Sequence, residues 1–488
     1  MNRILLTILI ILCAFSVLGA QSNLRIGGLN EMSYIYRTAE DSLNSYFSNA
    51  FGFNLNYQNF GFGMKYIADL PKYSTNQSEL LSDFSATDLK SGWQEIYAYY
   101  QKDAFKVHAG TITESFGVGL SFRSWEDLEF DQDNRIDGFL LRYDEELKLK
   151  ALYGAIPNRN QDSKLDLAYG FDAEYPMLSF LNLGASLLGY RDFNMVNPLT
   201  QRDIYKERNL WASRIALAFE KLEINAEYAQ SESGDFGSDD KIKGEALYGN
   251  ANLDLYPITL GAAYKKYDSF NHRLQDLPAA NYHTETLADN LGSGIDEEGY
   301  QAYANWQISP TMGLNVDYAE AWNADKDKKM NDLYASLSNE AGSYLWGLEY
   351  AHIEKLDEGT KEWQKEAIPA ATLGFRFLGE GVILKLEYKM KEKQHYDISS
   401  ERIEPKLQLD FGIKKLSLSM SAQTSVIETS ELSDANYKAN VEAKYPLWDH
   451  SDITIFAGKD AGGKVCRNGT CRYVAPFQGV KVELSTRF

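Results

Sequence analysis

Gly479-Val480-Lys481-Val482-Glu483-Leu484-Ser485-Thr486-Arg487-Phe488 is the stretch whose reading decides the fold. Val480, Val482, Leu484, Thr486 and Phe488 share one face of an extended strand, and Lys481, Glu483, Ser485 and Arg487 share the other. A soluble protein gains little from ending on a bare aromatic. A strand that is greasy outside and charged inside fits a sheet closed on itself, with lipid on one side and water on the other.

The same alternation recurs from Leu24 onward. Leu165, Leu167, Tyr169, Phe171, Ala173 and Tyr175 hold a period of two, with Asp166, Asp172 and Glu174 between them. Trp211, Ser213, Ile215, Leu217 and Phe219 face Leu222, Ile224, Ala226 and Tyr228 across Glu220-Lys221. Short turns are expected at Lys102-Asp103, Asp144 to Glu146, Glu220-Lys221, Tyr256-Pro257, Ser309-Pro310 and Leu378 to Gly381. Long connections are expected near 70–91, 113–134, 191–208, 231–243, 268–298, 353–364 and 460–475. Short periplasmic turns alternating with long extracellular loops are how outer-membrane barrels are built. The expectation is therefore all-β: a single large antiparallel transmembrane β-barrel of about 24 strands, give or take about two, over residues 21–488. Closure requires Leu24–Tyr36 to lie beside Gly479–Phe488. In that frame Val480, Val482, Leu484 and Phe488 resemble the terminal signal that the barrel-insertion machinery reads.

Composition agrees. Arg3, the apolar run Ile4 to Phe15 and the small pair Gly19-Ala20 read as a signal peptide over residues 1–20. Its loss takes the formal charge from −20 to −21, which argues against nucleic acid as a partner. Mean hydropathy is −0.40, and no later run of apolar residues is long enough for a spanning helix. Tyrosines such as Tyr153, Tyr175, Tyr264, Tyr318, Tyr350 and Tyr388 are expected at strand ends, as an aromatic girdle. Lys385, Glu387, Lys389, Lys406 and Lys438 fall on the opposite face and suit a wet lumen. Only Gln21 to Asn23 separate the cleavage point from the first strand, so an N-terminal plug and energy-coupling box are not expected. A wide lumen then needs filling by side chains or by loops 70–91, 113–134 and 268–298.

Two segments carry chemistry. In 113–138, Gly117 and Gly119 permit close backbone approach, and Arg123, Glu126, Asp127, Glu129, Asp131 and Asp133 crowd one loop. Folded inward, these groups form either a charged constriction or a structural loop held by Arg–carboxylate pairs. A calcium loop does not fit, because Ile136 stands where its Gly should be. In Cys466-Arg467-Asn468-Gly469-Thr470-Cys471, Asn468-Gly469 favours a two-residue hairpin turn, which sets Cys466 opposite Cys471. A structural disulfide is expected there, with a redox pair as the alternative. No Gly-x-Ser-x-Gly elbow is present, and His283 near Asp289 or His352 near Glu354 are the only catalytic groupings in view. No catalytic residue, cofactor or metal site is assigned.

Phe116-Gly117-Val118-Gly119 leading to Arg123-Ser124-Trp125-Glu126-Asp127, and Cys466-x4-Cys471-Arg472-Tyr473-Val474-x-Pro476-Phe477-x-Gly479, resemble a family of uncharacterised Gram-negative outer-membrane barrels grouped under a domain of unknown function. Trp125 stands where Tyr is expected. The resemblance implies a barrel in the outer membrane and brings no substrate. Three functions are carried forward: a porin-like channel for passive diffusion of small solutes; a non-transport barrel that binds at the surface or belongs to an envelope assembly; and an outer-membrane hydrolase. Lipid and the insertion machinery are the expected partners, with small solutes as a further one; the acids of the outer rim read as a solvated surface rather than a cation site.

Overall fold

The computed structural model describes residues 24–38, 45–70, 90–127, 132–156, 166–196, 203–235, 241–272, 274–287, 294–377, 379–396, 398–429, 433–467, 470–474 and 476–488. The signal peptide expected over 1–20 lies outside them. The chain forms one 24-stranded antiparallel sheet that closes on itself. At the seam, Leu24–Arg37 pairs with Phe477–Arg487 in the register Met32↔Leu484 and Tyr34↔Val482. The last strand also pairs with Ser451–Asp460 on its other side, so neither end of the sheet is left open. Closure leaves no unpaired edge to face lipid.

The wall is the reverse of a soluble core. Phe139, Tyr153, Leu187, Leu348 and Leu386 are exposed on one face, between 52% and 62%. On the other face Asp172, Glu227, Lys265, Asp317 and Asp332 are buried at 4% or less. Register carries this division from strand to strand: Glu174, Gly184, Arg214, Glu227 and Tyr248 form one inward row. Charged groups keep to the inside because hydrocarbon cannot solvate them, while the apolar face needs no partner but lipid.

Every connection on one rim is a turn of two or three residues, from Gln58-Asn59 to Asp449-His450, and the expected short turns fall there within a residue or two. The opposite rim is less uniform than expected. Region 353–364 is not a long loop: Tyr344–Asp357 and Glu362–Phe377 run on as a ribbon to a turn at 358–361. Likewise 191–208 is mostly strand, since Leu181–Val196 pairs with Asp203–Ala218 past Asp192 through a bulge. These strands of 16 residues exceed the roughly 9–11 that cross a bilayer. Their polar outer ends alternate in the same period as the spanning part, so sequence alone cannot mark where lipid stops.

The aromatic girdle also differs from expectation. Phe60, Phe219, Tyr256, Tyr344, Phe377 and Trp448 ring the short-turn rim, exposed between 48% and 85%. Tyr318 and Tyr350 lie six residues along their strands from that rim, about 20 Å at strand rise, and form an upper row rather than strand ends.

Candidate functional site

The lumen holds two inward-folded segments. The first runs from Thr113 to Arg135, with 128–131 outside the described residues. Short ladders Glu114–Phe116 with Phe122–Ser124, and Glu126-Asp127 with Gln132-Asp133, give it internal order. The second follows Ile258–Asp268 and spans 269–295, with Arg273 and 288–293 outside the described residues. Their side-chain partners on the wall, Glu227, Tyr190, Arg142, Lys150 and Asp332 among them, face inward, so both lie inside the ring.

Apolar burial holds them first. Phe116, Leu120 and Phe122 of the first segment and Phe270 and Leu274 of the second are fully buried. They pack with the wall residues Leu140, Leu152, Leu188, Tyr190 and Leu210 in one cluster. Each such side chain removed from water contributes about 1.5–3 kcal/mol. A barrel interior with a hydrophobic core of its own is not visible in the strand pattern, because inward positions such as Leu140 and Leu188 look like exceptions to the alternation until the loops cover them.

Polar contacts then set the position. Gly117 and Gly119 take positive φ, 55° and 96°. A Cβ on Gly117 would lie 2.0 Å from Glu227 Oε2, and this close approach lets the Val118 N–H donate to that oxygen at 2.9 Å. Tyr190 donates its hydroxyl to the Ser121 carbonyl at 2.7 Å. Glu114 takes Arg142 at 3.1 Å and Lys150 at 2.9 Å. The two segments clasp each other: the Arg123 N–H donates to the Leu274 carbonyl at 2.9 Å, the Asp276 N–H to the Gly119 carbonyl at 3.2 Å, and the Arg123 guanidinium pairs with Asp276.

The second segment reaches on across the ring. The His283 N–H donates to Asp332 at 3.0 Å and its Nδ1 lies 2.6 Å from the same carboxylate. Tyr282 stacks on Tyr334 with centroids 3.7 Å apart, and Lys355 pairs with Glu285 at 2.8 Å. His272 lies between Tyr190 and Phe270 with buried ring nitrogens. Burial, reinforced by the Arg208 charge, holds it well below the usual imidazole range.

The candidate constriction residues divide. Glu126 and Asp133 come together, but around Arg135, which the sequence reading missed. Arg135 bonds Asp133 through two nitrogens at 3.0 and 2.8 Å, Glu95 at 2.7 Å and Glu126 at 3.4 Å, while Lys65 reaches Glu126 at 3.3 Å. Burial opposes the Arg135 charge, yet Asp133 and the two Glu raise its affinity for the proton further. Arg123 does not join Glu126 or Asp127; it turns to Asp276 and stacks on Trp125 at 4.2 Å. Asp127 contributes backbone pairing to Gln132, and Glu129 and Asp131 lie outside the described residues. The signal for Arg135 was its place just before Ile136, where the chain enters the wall.

Elsewhere the expected sites resolve as follows. Cys466 and Cys471 occupy directly opposite positions in the hairpin Gly463–Arg467 with Thr470–Val474, in the expected register. Phe488 returns both backbone bonds to Gly28, at 2.8 and 3.1 Å, and its ring stacks on Phe51. His283 is held by Asp332 rather than matched to a nucleophile, and the neighbouring Thr284 hydroxyl donates to the His283 carbonyl instead. Among the described residues no group of three or more His, Cys, Asp or Glu is placed to hold a metal ion.

Comparison with known proteins gives fold and family. An E. coli P pilus tip assembly intermediate, PapC-PapD-PapK-PapG, superposes with a TM-score of 0.56 at 10% identity, covering 95% of this chain and 60% of that one. The siderophore receptor PirA from Pseudomonas aeruginosa gives 0.49 at 12% identity over 96% and 80%. OccAB2 from Acinetobacter baumannii gives 0.40 at 9% over 96% and 98%. No curated protein matches the sequence. One family profile does, over residues 1–290, which include the Phe116–Asp127 segment and not the cysteine hairpin. The chain belongs to the family of unknown function DUF6029.

Proposed function

We propose that this protein resides in the bacterial outer membrane, short turns toward the periplasm, and works as a porin-like channel for passive diffusion of small solutes. The observation that carries this reading is how unevenly the lumen is filled. Among the described residues the inward segments lean on the wall from Phe60–Leu70 round to Tyr344–Asp357. Beyond that sector the inner face of Glu380–His395 and Ile398–Ile413 is polar and partly exposed, with Lys389 and Lys391 at 29% and Arg402 at 39% of their side chains. A polar, wetted strip beside a rigid filler is what a narrowed diffusion path requires.

Planar bilayers test it: purified protein should give discrete conductance steps, and a silent but inserted barrel would sink the channel reading. The buried apolar core in the lumen favours the second reading, a filled barrel that serves as a binding surface or envelope component, and silence would select it. Catalysis by His283 is the weakest reading; His283→Ala should leave any lipase or protease activity of the preparation unchanged, and its loss would revive that reading. The terminal strand, with Val480, Val482, Leu484 and Phe488 outward, serves as the insertion signal in this scheme. Cys466 and Cys471 form a disulfide across their hairpin, and alkylation without reductant should label neither; two labelled thiols would refute the pairing.

A further inference from the structure

We infer that the wall carries a lateral passage at Glu380–His395, through which the acyl chain of a single-chain amphiphile moves between the lumen and the surrounding lipid. This goes beyond the channel reading, since the route runs through the wall and not along the lumen. Prolines carry the argument. A proline cannot donate to a ladder, so within sheets it keeps to edges, strand starts and bulges. A closed barrel has no edge. Pro176 and Pro446 obey the rule, each at a bulge beside the short-turn rim. Pro369 and Pro405 do not: they stand in mid-strand, with the register unbroken around them.

Each removes one ladder bond. Bridges stop at Ala367↔Met390 and resume at Ala370↔Glu387, so Pro369 faces Tyr388 without offering its carbonyl a donor. They stop again at Ile403↔Val426 and resume at Lys406↔Gln423, which leaves the Thr424 carbonyl short in the same way. The two gaps flank one strand pair at one height, because Tyr388 is also the register partner of Pro405. Each proline lies eight residues from the short-turn end of its strand, Phe377 or Ile413. That is about 26 Å along a strand tilted about 40°, or about 20 Å of height, inside a hydrocarbon layer of about 30 Å. Lipid offers no donor to replace the lost bonds, so neighbouring strands part here with the least loss.

Outside, Tyr350, Pro369, Tyr388, Pro405, Thr424 and Tyr437 form one lipid-facing row. The prolines and the small Ala371, Ala422 and Ala439 make this face concave beside Leu348, Leu386 and Leu407, and the groove holds about 920 Å³. Its lining is apolar and continuous with a face already given to hydrocarbon, so its occupant is an acyl chain. Inside, groups of both signs stand at the gaps. Lys389 and Lys391 share Glu366 beside the first, and Arg402 pairs with Glu404 beside the second. Lys389 and Glu404 are opposite each other on the two strands between. A zwitterionic head can stay among these groups while its chain passes between strands into the groove.

The test places the purified full chain in phosphatidylcholine vesicles loaded with a fluorescent lysophosphatidylcholine. Serum albumin, too large for the lumen, strips probe from the outer leaflet. The slow, inner-leaflet fraction should leave several-fold faster than from protein-free vesicles. Pro369→Ala with Pro405→Ala restores both donors without weakening the fold. It should return extraction to the protein-free rate while KCl conductance steps in planar bilayers stay as in the wild type. Ala371→Trp with Ala422→Trp, which fills the groove, should slow extraction as well. Wild-type extraction at the protein-free rate, or a rate unmoved by the proline pair, would overturn the passage. So would a wild-type dimer that the tryptophan pair abolishes, which would give the groove to a second copy. Silence in planar bilayers with extraction intact would remove the channel reading and leave the passage standing.

Discussion

Gly117 shows how one missing side chain decides where a loop lies. Its backbone presses against Glu227, and its φ of 55° is one that L side chains resist. Gly117→Val should cost about 1–2 kcal/mol of loop docking from the left-handed backbone alone, with further loss as Val118 leaves the carboxylate. Limited proteolysis should then cut within 113–135 much faster than in the wild type while the barrel stays intact; an unchanged cleavage pattern would contradict the contact. The glycine was visible in the sequence as a place of close approach. Its partner was not, because Glu227 lies 110 residues later and reads there as one more inward acid of an alternating strand.

At the scale of elements, the two inward segments are tied by different forces and should respond differently. Arg135 bridges Asp133, Glu126 and Glu95 at once while almost wholly buried, with Lys65 as a second cation on Glu126. Arg135→Ala takes the guanidinium away from three carboxylates and should cost about 3–5 kcal/mol, the usual penalty for removing one partner of a buried pair. Trp125 beside this network supplies the readout: its fluorescence should lose its native denaturation step at much lower urea in the variant. The second segment carries His272 instead. Docked, this imidazole stays neutral well below its ordinary pKa of 6.5; released, it protonates near that value. Docking is therefore at full strength above about pH 6.5 and weakens as pH falls below it, by up to about 1.4 kcal/mol per pH unit until the docked ring also protonates. His272→Phe should remove this acid sensitivity, measured as protease accessibility of 269–287 between pH 7 and pH 5.

For the whole molecule, closure is the cooperative event. The seam depends on Phe488, whose ring covers Gly28 so tightly that a Cβ there would fall 2.3 Å from the ring. Gly28→Val should displace the ring and weaken the pairing of the first strand with the last. The fraction migrating as a compact species in unheated detergent gels should fall several-fold; a wild-type fraction would show that the ring contributes nothing to closure. Because each strand pairs only with its neighbours, damage at the seam opens the one place where a linear chain must find its own other end.

The sequence by itself determined the wall. Period-two alternation, the charged inner positions and the terminal stretch from Gly479 to Phe488 specify a closed, inverted β-barrel, because each strand's two faces are read locally from residues two apart. Short turns were equally legible, since Glu220-Lys221 and Tyr256-Pro257 interrupt the pattern where they stand. What fills the barrel was settled only in three dimensions. Arg123 chose Asp276 over the acids beside it, Arg135 gathered Glu95 and Asp133, and Leu140 and Leu188 became core only under Phe116 and Phe270. Apart from Asp133 those partners are distant in sequence and meet only because the ring folds both inward segments against one wall, so the packed side of the lumen belongs to the closed molecule alone.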